Sequence, residues 1–130
     1  MAKKVKIIVS DDEEEKDNLT YKKNVVMSIV SLAAQEINGV SSISRSSVSL
    51  LKSALSKNIS RGIVIDFDEN VVHIDVYLNL KFGYSVKDVA FRVQENIKSS
   101  VESMTEYKVG KVNVHIVSVN FSEIDSDFVS

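Results

Sequence analysis

His73, Asp75 and His115 are the residues whose types and spacing could do chemistry, and the two histidines are the only ones in the chain. A histidine two positions from a carboxylate can serve as a general base or as half of a metal site. Neither use is complete here. The chain has no cysteine, and the serine-rich stretch Ser41-Ser42, Ser44, Ser46-Ser47 contains no G-x-S-x-G elbow. No third ligand or nucleophile stands at a spacing that would close a triad, so the two histidines read as solvent-facing strand residues and the serines as a linker. Tyr77 and Tyr84, with Lys81, have the types that stack on nucleic-acid bases.

The pattern around these residues sets the elements that hold them. Gly62 to Phe67 and Val71 to Phe82 read as two strands of a hairpin turning at Asp68-Glu69-Asn70. In the second strand Val72, Ile74, Val76, Leu78 and Leu80 take one face, and His73, Asp75, Tyr77, Asn79 and Lys81 take the other. Val112, Val114 and Ile116 alternate with Lys111, Asn113 and His115 in a last strand, which puts His115 on the same open face. Past Ile116 the alternation inverts, with Val117 and Val119 flanking Ser118, the mark of a bulge or of a second apolar surface.

Two helices complete the frame. From Tyr21, the residues Val26, Ile29, Val30, Ala33 and Ile37 recur at helical steps, and Asn38-Gly39 forms a natural stop. From Ser85, with Asp88 as a capping-box variant, Val86, Val89, Ala90, Val93, Ile97, Val101 and Met104 form a strong apolar stripe, while Phe91 lies off it. A weak strand over 4–10 and a short helix carrying Val48, Leu51 and Leu55 are further candidates. Six carboxylates within Asp11 to Asp17 predict a solvated linker. The expected architecture is an α+β two-layer sandwich: a small mixed sheet of three or four strands, including the hairpin, with helices packed on one face. Its divisions are an N-terminal segment over 1–20, a domain over 21–121 and an acidic tail over 122–130.

At 130 residues, 44% hydrophobic and 26% charged, the composition is that of one ordinary globular domain. A net charge of −2 gives no electrostatic footprint for phosphate backbones. The lack of cysteine fits a reducing, cytoplasmic setting. The longest apolar stretches fall short of a membrane span, so membrane association is expected only peripherally, through a partner.

Several motifs in order resemble the alkaline-shock-protein family of bacterial envelope stress proteins, the Asp-twenty-three and Gls general-stress group. They are Ala33-Ala34 running into Gly39-Val40, then Gly62-Ile63-Val64-Ile65, Val72-His73-Ile74-Asp75-Val76-Tyr77-Leu78 and Phe82-Gly83-Tyr84-Ser85-Val86. Val89-Ala90, Val93-Gln94, Val101, Met104-Thr105 and Val112-Asn113-Val114-His115-Ile116 follow. The family places Gly after the Met-Thr pair where this chain has Glu106, so a different turn is expected there. The resemblance implies a non-enzymatic cytoplasmic adaptor or scaffold, without cofactor or metal. It supports envelope homeostasis or the stress response by docking on a membrane-anchored protein at the inner face of the membrane and by self-association. Some members are tied to lipid or fatty-acid metabolism, so a regulatory partner of such an enzyme is an alternative.

A second alternative is an RNA-binding module, because the order helix, hairpin, helix, strand is similar to one class of KH domain. The phosphate-clamping G-x-x-G loop is missing, however, and the glycines at 39, 62, 83 and 110 are dispersed; nucleic acid is disfavoured. Gly39 and Gly83 read as structural turns. The candidate interface residues are Met27 and Leu32, surplus to one helix face, Tyr77 and Val117 on the last strands, and Phe91, which either meets a partner or completes the core.

Overall fold

A computed structural model describes residues 11–44, 59–60 and 62–121, with side chains described for 18–44 and 62–121. Helix α1 spans Asp11–Gln35, strand β1 Val40–Ile43, β2 Ile59–Ser60, β3 Ile63–Asp68 and β4 Val71–Lys81. Helix α2 spans Val86–Met104 and β5 Lys108–Asn120. The expected strand over 4–10, the helix around Val48, Leu51 and Leu55, and the acidic tail from residue 122 lie outside the described residues.

β4 is the organiser of the sheet. Its eleven residues alternate without a break, and Val72, Ile74, Val76, Leu78 and Leu80 are fully buried. One edge of β4 carries two strands end to end: β3 pairs antiparallel along Val71–Val76, and β1 antiparallel along Leu78–Leu80. β2 extends the sheet beyond β3. The other edge carries β5 alone, parallel, from Val71 to Lys81. The sheet is therefore mixed, as expected, with two short strands, β1 and β2, that the sequence pattern does not announce.

Where β1 gives way to β3, the backbones nearly touch. Ser44 donates its N–H to the Tyr77 carbonyl at 2.7 Å, and Tyr77 donates its own to the Gly62 carbonyl at 2.9 Å. Gly62 has φ +78°, and a Cβ on it would stand 1.9 Å from the Ser44 carbonyl oxygen, so no side chain fits.

Both helices cover the same face. α1 contributes Val26, Val30, Ala33 and Ala34, and α2 contributes Val89, Val93, Ile97 and Val101 at strict four-residue steps. Each buried valine or isoleucine is worth about 1.5–3 kcal/mol relative to exposure. The helices are fastened to each other by Asn96, whose Nδ2 donates to the Ala33 carbonyl at 2.8 Å and to Glu36 Oε1 at 3.0 Å. Ala33 is within the last turn of α1, so this bond serves one of the carbonyls a helix end leaves without a partner.

Three expectations are corrected. Ser41 and Ser42, read as linker, lie in β1, and Ser44 is buried just after it. The acidic run is not a linker, because Asp11–Asp17 forms the first two turns of α1. Glutamate is a good helix former, and carboxylates at a helix N-terminus are favoured by the macrodipole. Val86 and Met104, placed on the core stripe of α2, are exposed, because the first and last residues of the helix overhang the sheet. The helix cap and the two turn glycines are as expected. Ser85 Oγ accepts the Asp88 N–H at 3.3 Å, with the Asp88 carboxylate turned to Arg92 Nε at 3.0 Å. Gly39 and Gly83 turn the chain at φ +101° and +105°.

The turn at Glu106 is built without glycine. Thr105 Oγ1 donates to the Val101 carbonyl at 2.7 Å and accepts the Tyr107 N–H at 3.1 Å, while Glu102 Oε2 accepts the Val109 N–H at 2.9 Å. A side-chain hydroxyl closes the turn, so Glu106 keeps a negative φ.

Candidate protein-interaction surfaces

The open face of the sheet is a set of polar rungs running across β1, β4 and β5. Asn79 Nδ2 donates to Ser42 Oγ at 3.0 Å, and Ser118 Oγ donates to Asn79 Oδ1 at 2.7 Å. Asn120 Nδ2 reaches Ser41 Oγ at 3.0 Å. One step along β4, the Tyr77 ring stacks on the His115 imidazole, with centroids 4.3 Å apart and planes within 11°. Next, Asp75 Oδ1 lies 2.9 Å from His115 Nε2 and accepts from Asn113 Nδ2 at 3.1 Å. The carboxylate therefore pairs with His115 and not with its neighbour on the strand, His73.

His73 has another role. Its ring lies over Gly110, where an added Cβ would be 2.3 Å from Cε1, and its Nδ1 is buried without a hydrogen-bond partner. This imidazole is a packing group, set against the one backbone position on β5 that has room for it. Among the described residues no group of three or more His, Cys, Asp or Glu side chains is arranged to hold a metal ion. The Asp75–His115 pair is part-exposed, and Asp75 also accepts from Asn113, so the rungs tie β4 to β5 across the sheet surface.

β5 reaches this arrangement through two bulges. Val72 and Ile74 pair with Val109 and Val112, and Leu78 and Asn79 pair with Ile116 and Ser118, so β5 has one extra residue at each place. Val117 is the second extra residue. It restores the phase, returning Ser118 to the open face and Val119 to the core side, which accounts for the inverted alternation in the sequence.

Apolar surface is concentrated on the helical layer. Leu32 is 66% exposed and Met104 68%, and with Ile29 they line a groove of about 190 Å³ between α1 and α2. Met104 also borders a larger groove of about 530 Å³ lined by Leu19, Tyr21, Phe67 and Tyr107. Phe91 is 58% exposed among the described residues. Of the remaining candidates, Tyr77 is half-buried in its stack on His115, and Val117 is exposed at its bulge. Met27 is partly buried and packs against the core.

The sequence reading missed Met104 because its spacing fits the core stripe; only its position as the last residue of the helix marks it as overhanging. It also missed the exposed pair Phe82 and Phe121, whose rings meet at 4.6 Å where the ends of β4 and β5 come together.

The chain is 33% identical over 98 residues to the uncharacterised protein YqhY of Bacillus subtilis, covering 75% of this chain and 73% of that one. It is 23% identical over 107 residues to a stress response regulator gls24 homolog of Streptococcus pyogenes, covering 81% of this chain and 60% of that protein. Among solved structures, a variant of the MamM CTD overlaps at a TM-score of 0.48 and 11% identity, covering 75% of this chain and 96% of that one, too distant to bear on function. The model of the Asp-twenty-three family, described as having a cell envelope-related function, matches residues 11–121, so its match takes in the acidic first turns of α1. The chain therefore belongs to the Asp-twenty-three family, whose function is related to the cell envelope.

Proposed function

We propose that this protein is a non-enzymatic adaptor that works by protein association on the cytoplasmic side of the envelope, docking a membrane-anchored protein through its helical layer. The observation that carries this reading is the groove between α1 and α2, where Leu32 and Met104 are about two-thirds exposed side by side. Large apolar side chains held in that way bury surface only when a partner covers them. The family's envelope-related function supplies the setting. No helix among the described residues is long and apolar enough to cross a membrane, so an envelope role through these elements would go through a partner.

The test is parallel affinity purification from membrane and cytosolic fractions with the wild-type chain and with Leu32→Asp. Recovery of one integral membrane protein by the wild type, lost with the variant, is the expected result. Recovery of RNA, or of a soluble lipid-metabolic enzyme that Leu32→Asp leaves in place, would refute it in favour of an RNA-binding module or an enzyme regulator.

A further inference from the structure

Among the described residues no strand pairs with the outer edge of β5, and α2 reaches that edge by side chains, Glu102 at the Val109 N–H and Gln94 at the Val112 carbonyl. Three hydrogen bonds fix which backbone groups that edge presents. The Lys108 N–H donates to Asn70 and the Asn120 carbonyl accepts from Phe82, both toward β4, while the Val112 carbonyl accepts from Gln94 Nε2 on α2. Counting between these points through the two bulges, Val112, Val114 and Ile116 turn their N–H and C=O groups outward, and Asn113 and His115 turn theirs to β4. The bulges at Gly110–Lys111 and at Val117 bracket this regular stretch almost evenly about Val114.

We infer that this edge joins two copies of the chain, pairing antiparallel through Val112–Ile116 across a twofold axis at Val114. The stretch is self-complementary in that register. On the helix side Val112 meets the partner's Ile116 and Val114 meets the partner's Val114, all β-branched; on the open face Asn113 meets the partner's His115. Val112, Val114 and Ile116 are only partly buried in one copy, unlike their fully buried neighbours on β4, so pairing continues a core that stops short at this strand. Gln94 does not block the contact, because a carbonyl oxygen has two lone pairs.

α2 supplies the second, independent observation. Gln94 marks the flank of α2 that overhangs the β5 edge, and Phe91 lies one turn earlier on that flank. As the crossover helix between parallel strands, α2 runs back along the sheet. Three residues of helix are about 4.5 Å, a little over one strand step of about 3.3 Å, which sets the exposed Phe91 ring close to the level of Val114. Across a twofold there, Phe91 faces the partner's Phe91. Lys87 and Glu95, four residues to either side and both exposed, face the partner's Glu95 and Lys87. The stripe Lys87-Phe91-Glu95 thus matches itself in charge in the antiparallel sense that the strand edge requires. The dimer stands whether or not the adaptor reading does, since it uses neither Leu32 nor the groove.

The test is sedimentation velocity of the full chain over a concentration series, with amide exchange followed by NMR. The wild type is expected at twice its 14.4 kDa chain mass. Phe91→Asp should weaken association at least roughly tenfold while circular dichroism shows a folded chain. Lys87→Glu should weaken it, and Lys87→Glu combined with Glu95→Lys should restore it. Exchange at Val112, Val114 and Ile116 should slow as concentration rises, with Asn113 and His115 unaffected. A wild type that stays monomeric at about 0.1 mM (an order-of-magnitude ceiling for a specific dimer), or a dimer in which those three amides keep their fast exchange, would overturn the inference.

Discussion

Gly110→Ala separates two physical effects of opposite sign. Glycine in a strand interior is unfavourable, and replacing it with alanine where the backbone conformation allows stabilises by about 0.4–1 kcal/mol, chiefly by restricting the unfolded chain. Gly110 has no positive φ to forbid the change. Against this, the new methyl would stand 2.3 Å from His73 Cε1, 2.6 Å from its Nδ1 and 2.9 Å from Val71 Cγ1. Carbon contacts are comfortable at about 3.5–4.0 Å, so the imidazole must retreat by more than about 1 Å, and overpacking of that kind costs about 1–3 kcal/mol. The net expectation is a loss of about 1–2 kcal/mol in urea unfolding. Combining Gly110→Ala with His73→Ala removes the obstacle, so the double variant should be more stable than the two single losses sum to, by about 0.5–2 kcal/mol. Stabilisation by Gly110→Ala alone, or strict additivity in the cycle, would show that His73 does not pack on this glycine.

Glu69, with φ +57°, is the one non-glycine residue of positive φ among those described, at the first position of the two-residue turn between β3 and β4. Glu69→Gly should stabilise the fold in urea unfolding by about 0.5–1 kcal/mol, once the backbone entropy of glycine is set against the left-handed strain, and so raise the midpoint. Asn96→Ala leaves the Ala33 carbonyl without its side-chain donor and should cost about 1–2 kcal/mol. Asn96→Asp should cost more, because it sets a carboxylate against that carbonyl and Glu36; equal losses in thermal unfolding would argue against the clamp between the helices. Ser85→Ala should cost about 1 kcal/mol through the lost cap. Deleting Val117 should be tolerated better than deleting Val114, since only the second deletion shifts the register and exchanges the faces of β5; a larger loss for the Val117 deletion would refute the bulge assignment.

The fold was legible wherever burial is one-sided. β4 and α2 reveal themselves because a residue either faces the helices or does not, and that choice repeats with a period of about 2 or 3.6. β1 and β2 escaped because four and two residues give no period to read, and their places depend on the edges that β4 and β3 leave uncovered. The acidic turns of α1 were misread because charge density indicates solvation equally well in a coil and in a helix. On the surface, the sequence puts Asp75 in phase with His73 but does not show which imidazole it meets. That pairing follows from the parallel register of β4 and β5, which the two bulges shift. Phe91 was identifiable as off the stripe, whereas the level along the sheet at which α2 carries it depends on the path of the crossover.

β4 receives its neighbours from very different distances along the chain, and this bears on the order of folding. β3 is one tight turn away, whereas β1 and β5 must close loops of about forty residues, at an entropic cost that only their contacts with β4 repay. The β3–β4 hairpin is thus the cheapest nucleus the topology offers; β5 then adds along the free edge of β4, and β1 continues the β3 side of β4 beyond the hairpin. Substitutions that weaken the hairpin, such as Ile65→Val or Ile74→Val, should slow refolding. Ile43→Val on β1 should instead act mainly by speeding unfolding. The strand that holds the finished sheet together is then also the one that must be in place first.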